Sequence, residues 1–92
     1  MVIGLLTVSL HVPESNSLKS KRFIIKSLKT RLRNKFNISV CEEPNNLWQR
    51  VELYIVCVTT DGRQLDSIFE NIKNIIEKEP LIEVLDYVKE LM

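Results

Sequence analysis

The 92-residue chain predicts a single α+β domain spanning residues 1–92, a four-stranded antiparallel sheet with two helices on one face. Three observations predict it. Apolar alternation marks strands near 2–12, 38–41 and 48–59, and an apolar run over 81–89 marks a fourth. Between the first pair and the last pair of these lie segments whose apolar residues recur at helical spacing. Each helix has one apolar stripe, so both must bury it against the same face of the sheet.

The first strand sets Val2, Gly4, Leu6, Val8, Leu10 and Val12 on a wholly apolar face, with Ile3, Leu5, Thr7, Ser9 and His11 on the other. The Pro13–Ser17 segment is a turn-forming break whose Ser17 suits a helix cap. The first helix runs from Leu18 to Phe36, with Leu18, Ile25, Leu28, Leu32 and Phe36 as its stripe. Ile38 and Val40 alternate with Ser39 and Cys41 in a second strand. Glu43-Pro-Asn-Asn46 then reads as a hairpin turn.

In the third strand Val51, Leu53, Ile55 and Cys57 share one face, and Trp48, Arg50, Glu52, Tyr54, Val56 and Val58 the other. Hairpin partners around this turn have numbers adding to about 91–93, which keeps Cys41 and Cys57 from pairing. Asp61-Gly-Arg-Gln64 reads as a capping box for a second helix with Leu65, Ile68, Phe69, Ile72, Ile75 and Ile76 as its stripe. Pro80 stops it. The last strand has two competing inward sets, Leu81, Leu85 and Tyr87 against Ile82, Val84 and Val88. The order β-α-β-β-α-β is the ferredoxin-like plan, in which the first and third strands are central neighbours.

Composition narrows the function classes. The chain is 45% hydrophobic and 27% charged, a globular balance that excludes collagen, disulfide-scaffold and membrane-spanning classes. Two cysteines without a CxxC fit a reducing cytoplasm. The apolar start lacks a basic leader and a small-residue cleavage site, so it reads as a strand rather than a signal peptide. No nucleotide-loop, zinc-protease or nucleophile-elbow motif occurs. No glycine-rich anion loop follows the first strand, and the third lacks the aromatic signature of RNA-recognition motifs. The expectation is a non-enzyme without metal, cofactor or membrane attachment.

The net charge of +1 hides an asymmetry. Residues 1–39 carry eight basic residues and one acid, a formal +7, and residues 40–92 carry five basic and eleven acidic ones, −6. Lys19, Lys21, Arg22, Lys26, Lys29, Arg31, Arg33 and Lys35 all fall in the first helix. Its opening turns are cationic, against the helix dipole. Such a face suits phosphates, and a solvated face balanced by the acidic second helix is the plainer reading.

Phe23 lies on the outer side, where it suits stacking on a base or filling a partner's pocket, and an isolated exposed aromatic without a role is the plainer reading. His11, Lys19, Lys21, Arg22, Trp48, Gln49 and Arg50 are expected to converge at one corner, with a core-edge place for Trp48 and a structural hydrogen-bonding role for His11 as the plainer readings. Lys19, Lys21, Arg22, Lys26, Arg33, Arg50, His11, Trp48 and Phe23 are thus the candidate RNA or polyanion contacts. Replacing Lys21 and Arg22 is expected to spare the fold.

The open sheet face carries an apolar end formed by Ile3, Leu5, Val56 and Val58, with Tyr54 at its margin. These five residues are the candidate interface of a homodimer. A tail over Tyr87–Met92 folded across the patch is the single-chain alternative.

The stretches His11-Val-Pro13, SLKSKR from Ser17 to Arg22, LKTRLRNKFN from Leu28 to Asn37, Ser39-Val-Cys-Glu42 and Leu47-Trp-Gln-Arg50 resemble the YlxP-like family of small bacterial proteins. The resemblance spans most of the chain. It implies a ferredoxin-like fold and a genetic setting among transcription and translation factors, near ribosome-binding factor A, and brings no catalytic residues. Charge and resemblance together lead to the expectation of a cytoplasmic RNA- or ribosome-associated protein, the alternative being a homo-oligomeric interaction module.

Overall fold

A computed structural model of the chain describes residues 1–13, 18–43 and 49–92. The elements are β1 (Val2–His11), α1 (Leu18–Lys35), β2 (Ile38–Glu43), β3 (Arg50–Thr59), α2 (Gly62–Glu77) and β4 (Glu83–Leu91). The sheet is antiparallel throughout, in the order β2-β3-β1-β4, with β1 and β3 central. Both helices cover one face, which makes the architecture ferredoxin-like. The Ser17 cap, the Pro44–Asn46 part of the hairpin turn and Trp48 lie outside the described residues.

The strand faces follow the alternation. Leu6, Val8, Leu10 and Val12 from β1 and Val51, Leu53, Ile55 and Cys57 from β3 are buried. They meet Ile25, Leu28 and Leu32 of α1 and Leu65, Phe69, Ile72 and Ile76 of α2 in one core. Burial of each large side chain contributes roughly 1.5–3 kcal/mol, so these stripes fix the helices to one face. Asp61 caps α2 as expected, its Oδ1 accepting from the Arg63 main-chain N–H at 2.8 Å.

Gly4 lies under two side chains of α2. A Cβ built there would stand 2.6 Å from Leu65 Cδ2 and 3.0 Å from Phe69 Cε2. The missing side chain is the space those two buried residues occupy.

Two details depart from the sequence reading. The β2–β3 ladder pairs Ile38 with Cys57 and Glu43 with Glu52, so Cys41 stands opposite Tyr54 rather than opposite residues nearer the turn. The last pair of the ladder, Glu43 with Glu52, leaves residues 44–51 between the partners, more than a tight turn at 44–47 needs. Both cysteines are free, Cys41 exposed and Cys57 buried.

The second detail is a β-bulge. Leu10 pairs with Val84 but Ser9 pairs with Asp86, leaving Leu85 as an extra residue in β4. Before the bulge, Ile82 and Val84 face the helices. After it, Tyr87 and Lys89 do, opposite Val8 and Leu6. Lys89 Nζ accordingly reaches Asp66 Oδ1 of α2 at 2.7 Å. Neither competing alternation is right, because the chain changes phase partway. β4 then continues along β1 as far as Leu91, with the Met92 N–H donating to the Ile3 carbonyl at 2.9 Å. The tail is therefore part of the sheet edge and does not fold across the open face.

Candidate functional site

Helix α1 forms because Lys, Arg and Leu, all strong helix formers, supply eleven of its eighteen residues and its buried apolar residues keep to one stripe. Its first turn contains no acid, and Arg33 and Lys35 sit in its last. The eight cations separate by what they touch. Lys29 pairs with Glu42 at 3.2 Å, Arg31 with Glu79 at 2.6 Å, and Arg33 Nη2 donates to the Val40 carbonyl at 2.8 Å. These three tie α1 to β2 and to the end of α2. Lys19, Arg22, Lys26 and Lys35 are exposed and have no ion pair among the described residues.

Lys21 belongs to neither group, and its expected place on the surface is corrected. Only 3% of it is exposed, and its ammonium donates to the Arg50 carbonyl at 3.2 Å. The reason is angular. Lys21, Ile25, Leu28 and Leu32 are spaced i, i+4, i+7 and i+11, so Lys21 lies within about 15° of the centre of the apolar stripe. Its methylene stem lies in the helix–sheet interface, and its ammonium reaches the β3 main chain at Arg50. Lys21 is a strut between α1 and β3.

The outer face of α1 presents Lys19, Arg22, Lys26 and Arg33, all exposed. Phe23 stands among them with 75% of its surface exposed. It borders an open depression of about 350 Å³ together with Lys26, Ser27, Thr30 and Arg31. The helix's buried stripe is complete without Phe23, which takes no part in the core.

The predicted corner assembles in part. His11 is the cross-strand partner of Arg50, and the Val12 N–H donates to the Gln49 carbonyl at 2.8 Å. Lys21 brings the start of α1 to the same place. Two acidic features temper its charge, and sequence reasoning missed both. Glu83 of β4 stands beside His11, with 3.9 Å between Oε2 and Nδ1. One step along the sheet, Glu43, Glu52, Ser9 and Asp86 form one cross-strand row. Ser9 Oγ donates to Glu52 Oε1 at 3.2 Å and the Tyr54 hydroxyl to Glu52 Oε2 at 3.3 Å. Partial burial, then the Glu43 and Glu52 carboxylates, raise the Tyr54 phenol above its ordinary pKa. Only the register, with its bulge, reveals this row.

At the far end of the open face, Val58 lies opposite Ile3 and Val56 opposite Leu5. Val58 is 54% exposed, and Val88, which lies opposite Thr7 on the same face, is 44% exposed. Val88 thus joins Tyr54 at the margin of the apolar end expected from sequence, while the edge strand sets Glu90 opposite Leu5. Among the described residues, no group of three or more His, Cys, Asp and Glu side chains is arranged to hold a metal. Likewise, no described helix is long and apolar enough to cross a membrane.

The model of a family described as "Protein of unknown function (DUF503)" matches residues 3–89. The "Uncharacterized protein YlxP" of Bacillus subtilis (strain 168) is 31% identical over 83 residues, spanning 89% of this chain and 90% of its own length. Among solved structures, the structural-genomics protein YJCS superposes with a TM-score of 0.64 at 14% identity, over 96% of both chains. A de novo designed protein with a ferredoxin fold gives a TM-score of 0.50 at 13% identity, over 99% of this chain and 85% of its own. These two structures share the fold.

Proposed function

The chain belongs to the DUF503 family of proteins of unknown function, and from that premise we propose that it is a non-enzymatic, cytoplasmic RNA-binding protein that grips phosphates with the outer face of α1. One observation carries the reading. Lys19, Arg22 and Lys26 surround an exposed Phe23 and have no balancing carboxylate among the described residues, while Lys29 and Arg31 of the same helix are paired. Cations in the opening turns of a helix oppose its dipole and cost about 0.3–1 kcal/mol each where an acid would stabilise. A phosphate backbone laid along this face would offset that cost.

Fluorescence anisotropy with labelled RNA at several salt concentrations tests the proposal. Three contacts, from Lys19, Arg22 and Lys26, give a slope of log K against log salt of roughly −2 to −3. Replacing any one of them reduces that slope by about 1. Affinity indifferent to salt, or no binding at low salt, would overturn the reading.

A second reading is supported by the open face. Among the described residues, Val58 and Val88 are exposed and Ile3, Leu5, Tyr54 and Val56 are half-buried on this face. A twofold homodimer through this apolar end leaves the basic helix outside, so the two readings are compatible.

A further inference from the structure

We infer that the outer face of α1 receives an unpaired nucleobase stacked on Phe23, so that its ligand is single-stranded rather than duplex RNA. The inference rests on the RNA-binding reading above and names the form of RNA. Phe23 is 75% exposed on the outer side of α1 and takes no part in the core, so its ring is available to a ligand. The ring borders an open depression of about 350 Å³. Lys26, Ser27 and Thr30 follow at i+3, i+4 and i+7, which places them on the same strip of helix surface as the ring. The depression therefore combines an aromatic wall with two hydroxyls that can meet polar base edges and a cation for the adjoining phosphate.

Arg31, the last lining residue, is held by Glu79 at 2.6 Å, so among the described residues Lys26 is the unpaired cation of the depression. Lys19 and Arg22 continue the cationic track beyond the ring. Charge selects this occupant over an apolar side chain of a protein partner, because the rim is cationic. In a duplex the bases are already stacked on one another, and only an unpaired base presents a free face to Phe23.

The test compares a short oligo(A) carrying one 2-aminopurine with the same strand annealed to its complement. Wild type binds the single strand more tightly and raises the fluorescence of the probe as it leaves the adenine stack. Phe23→Ala weakens single-strand binding roughly 5- to 150-fold, the range of aromatic–base stacking, and abolishes that rise. The salt slope of that variant stays at the wild-type value, its melting temperature is unchanged, and Phe23→Trp retains binding. Steep salt dependence with Phe23→Ala equal to wild type would overturn the base site and leave the RNA reading standing. A preference for the duplex does the same. No binding of either RNA at low salt would overturn both.

Discussion

The ammonium of Lys21 and the main-chain carbonyl of Arg50 lie 3.2 Å apart across the interface between α1 and β3. This contact turns one member of a run of surface cations into a structural residue. It also brings the start of the basic helix to the end of β3 that holds Arg50.

Lys21→Ala is therefore expected to destabilise the protein. A hydrogen bond from a charged group contributes about 1.5–3 kcal/mol, and the lost stem removes packing besides. Arg22→Ala, one residue on and exposed, should change stability by no more than about 0.5 kcal/mol while weakening RNA binding. Urea unfolding of the two single variants beside binding titrations separates the roles. Equal stability of both would show that Lys21 does not brace the fold.

Gly4→Ala should cost about 1–3 kcal/mol, and Gly4→Val more, because the new carbon enters space held by Leu65 and Phe69. Gly62→Ala is the control, since nothing lies within 4 Å of a Cβ built at that position. Thermal melts of the pair check the contrast. A Gly4→Ala variant as stable as wild type would mean that the Leu65 and Phe69 side chains turn aside without loss.

The protein should lose stability as pH rises past about 10. Burial, then the charge and hydrogen bond of Glu77, then the charge of Glu70, push the Tyr87 phenol well above its ordinary value of 10.0. The unfolded chain gives up this proton near pH 10 while the folded chain keeps it, so stability falls on the alkaline side. Lys73, whose ammonium lies 5.1 Å from the ring centre, faces the same group. Urea midpoints measured from about pH 9 to about pH 11 should decline less steeply in Tyr87→Phe than in wild type. Parallel declines would remove Tyr87 as the cause.

If the open face joins two copies, the mass seen in sedimentation should rise with concentration above the 10.7 kDa of one chain. Val58→Glu, at an exposed position, should hold the mass at one chain with an unchanged melt. A wild-type protein that stays monomeric at high micromolar concentration excludes this interface.

The positions that sequence misplaced share a cause. Charge is conspicuous in a sequence, and Lys21 looks like its seven cationic neighbours in α1. Its spacing from Ile25, Leu28 and Leu32 was legible, but a buried lysine is credible only once an acceptor is known. That acceptor belongs to Arg50, 29 residues away. The facing of β4 was undecidable for a similar reason. An alternation can be read only while its phase holds, and the bulge at Leu85 breaks the phase.

What the sequence determined by itself is whatever has a local period. The six elements, their order, the inward faces of β1 and β3, the stripe of α2 and its Asp61 cap depend on residues within a few positions of one another. The tertiary structure decided what depends on register between distant strands. It set which cations of α1 are occupied, placed Glu43, Glu52 and Asp86 in one row, kept the tail in the sheet, and left Phe23 and Val58 exposed. A two-residue shift in pairing keeps every side chain on its face but changes each cross-strand neighbour, so alternation reveals the core and leaves the partners of surface groups open.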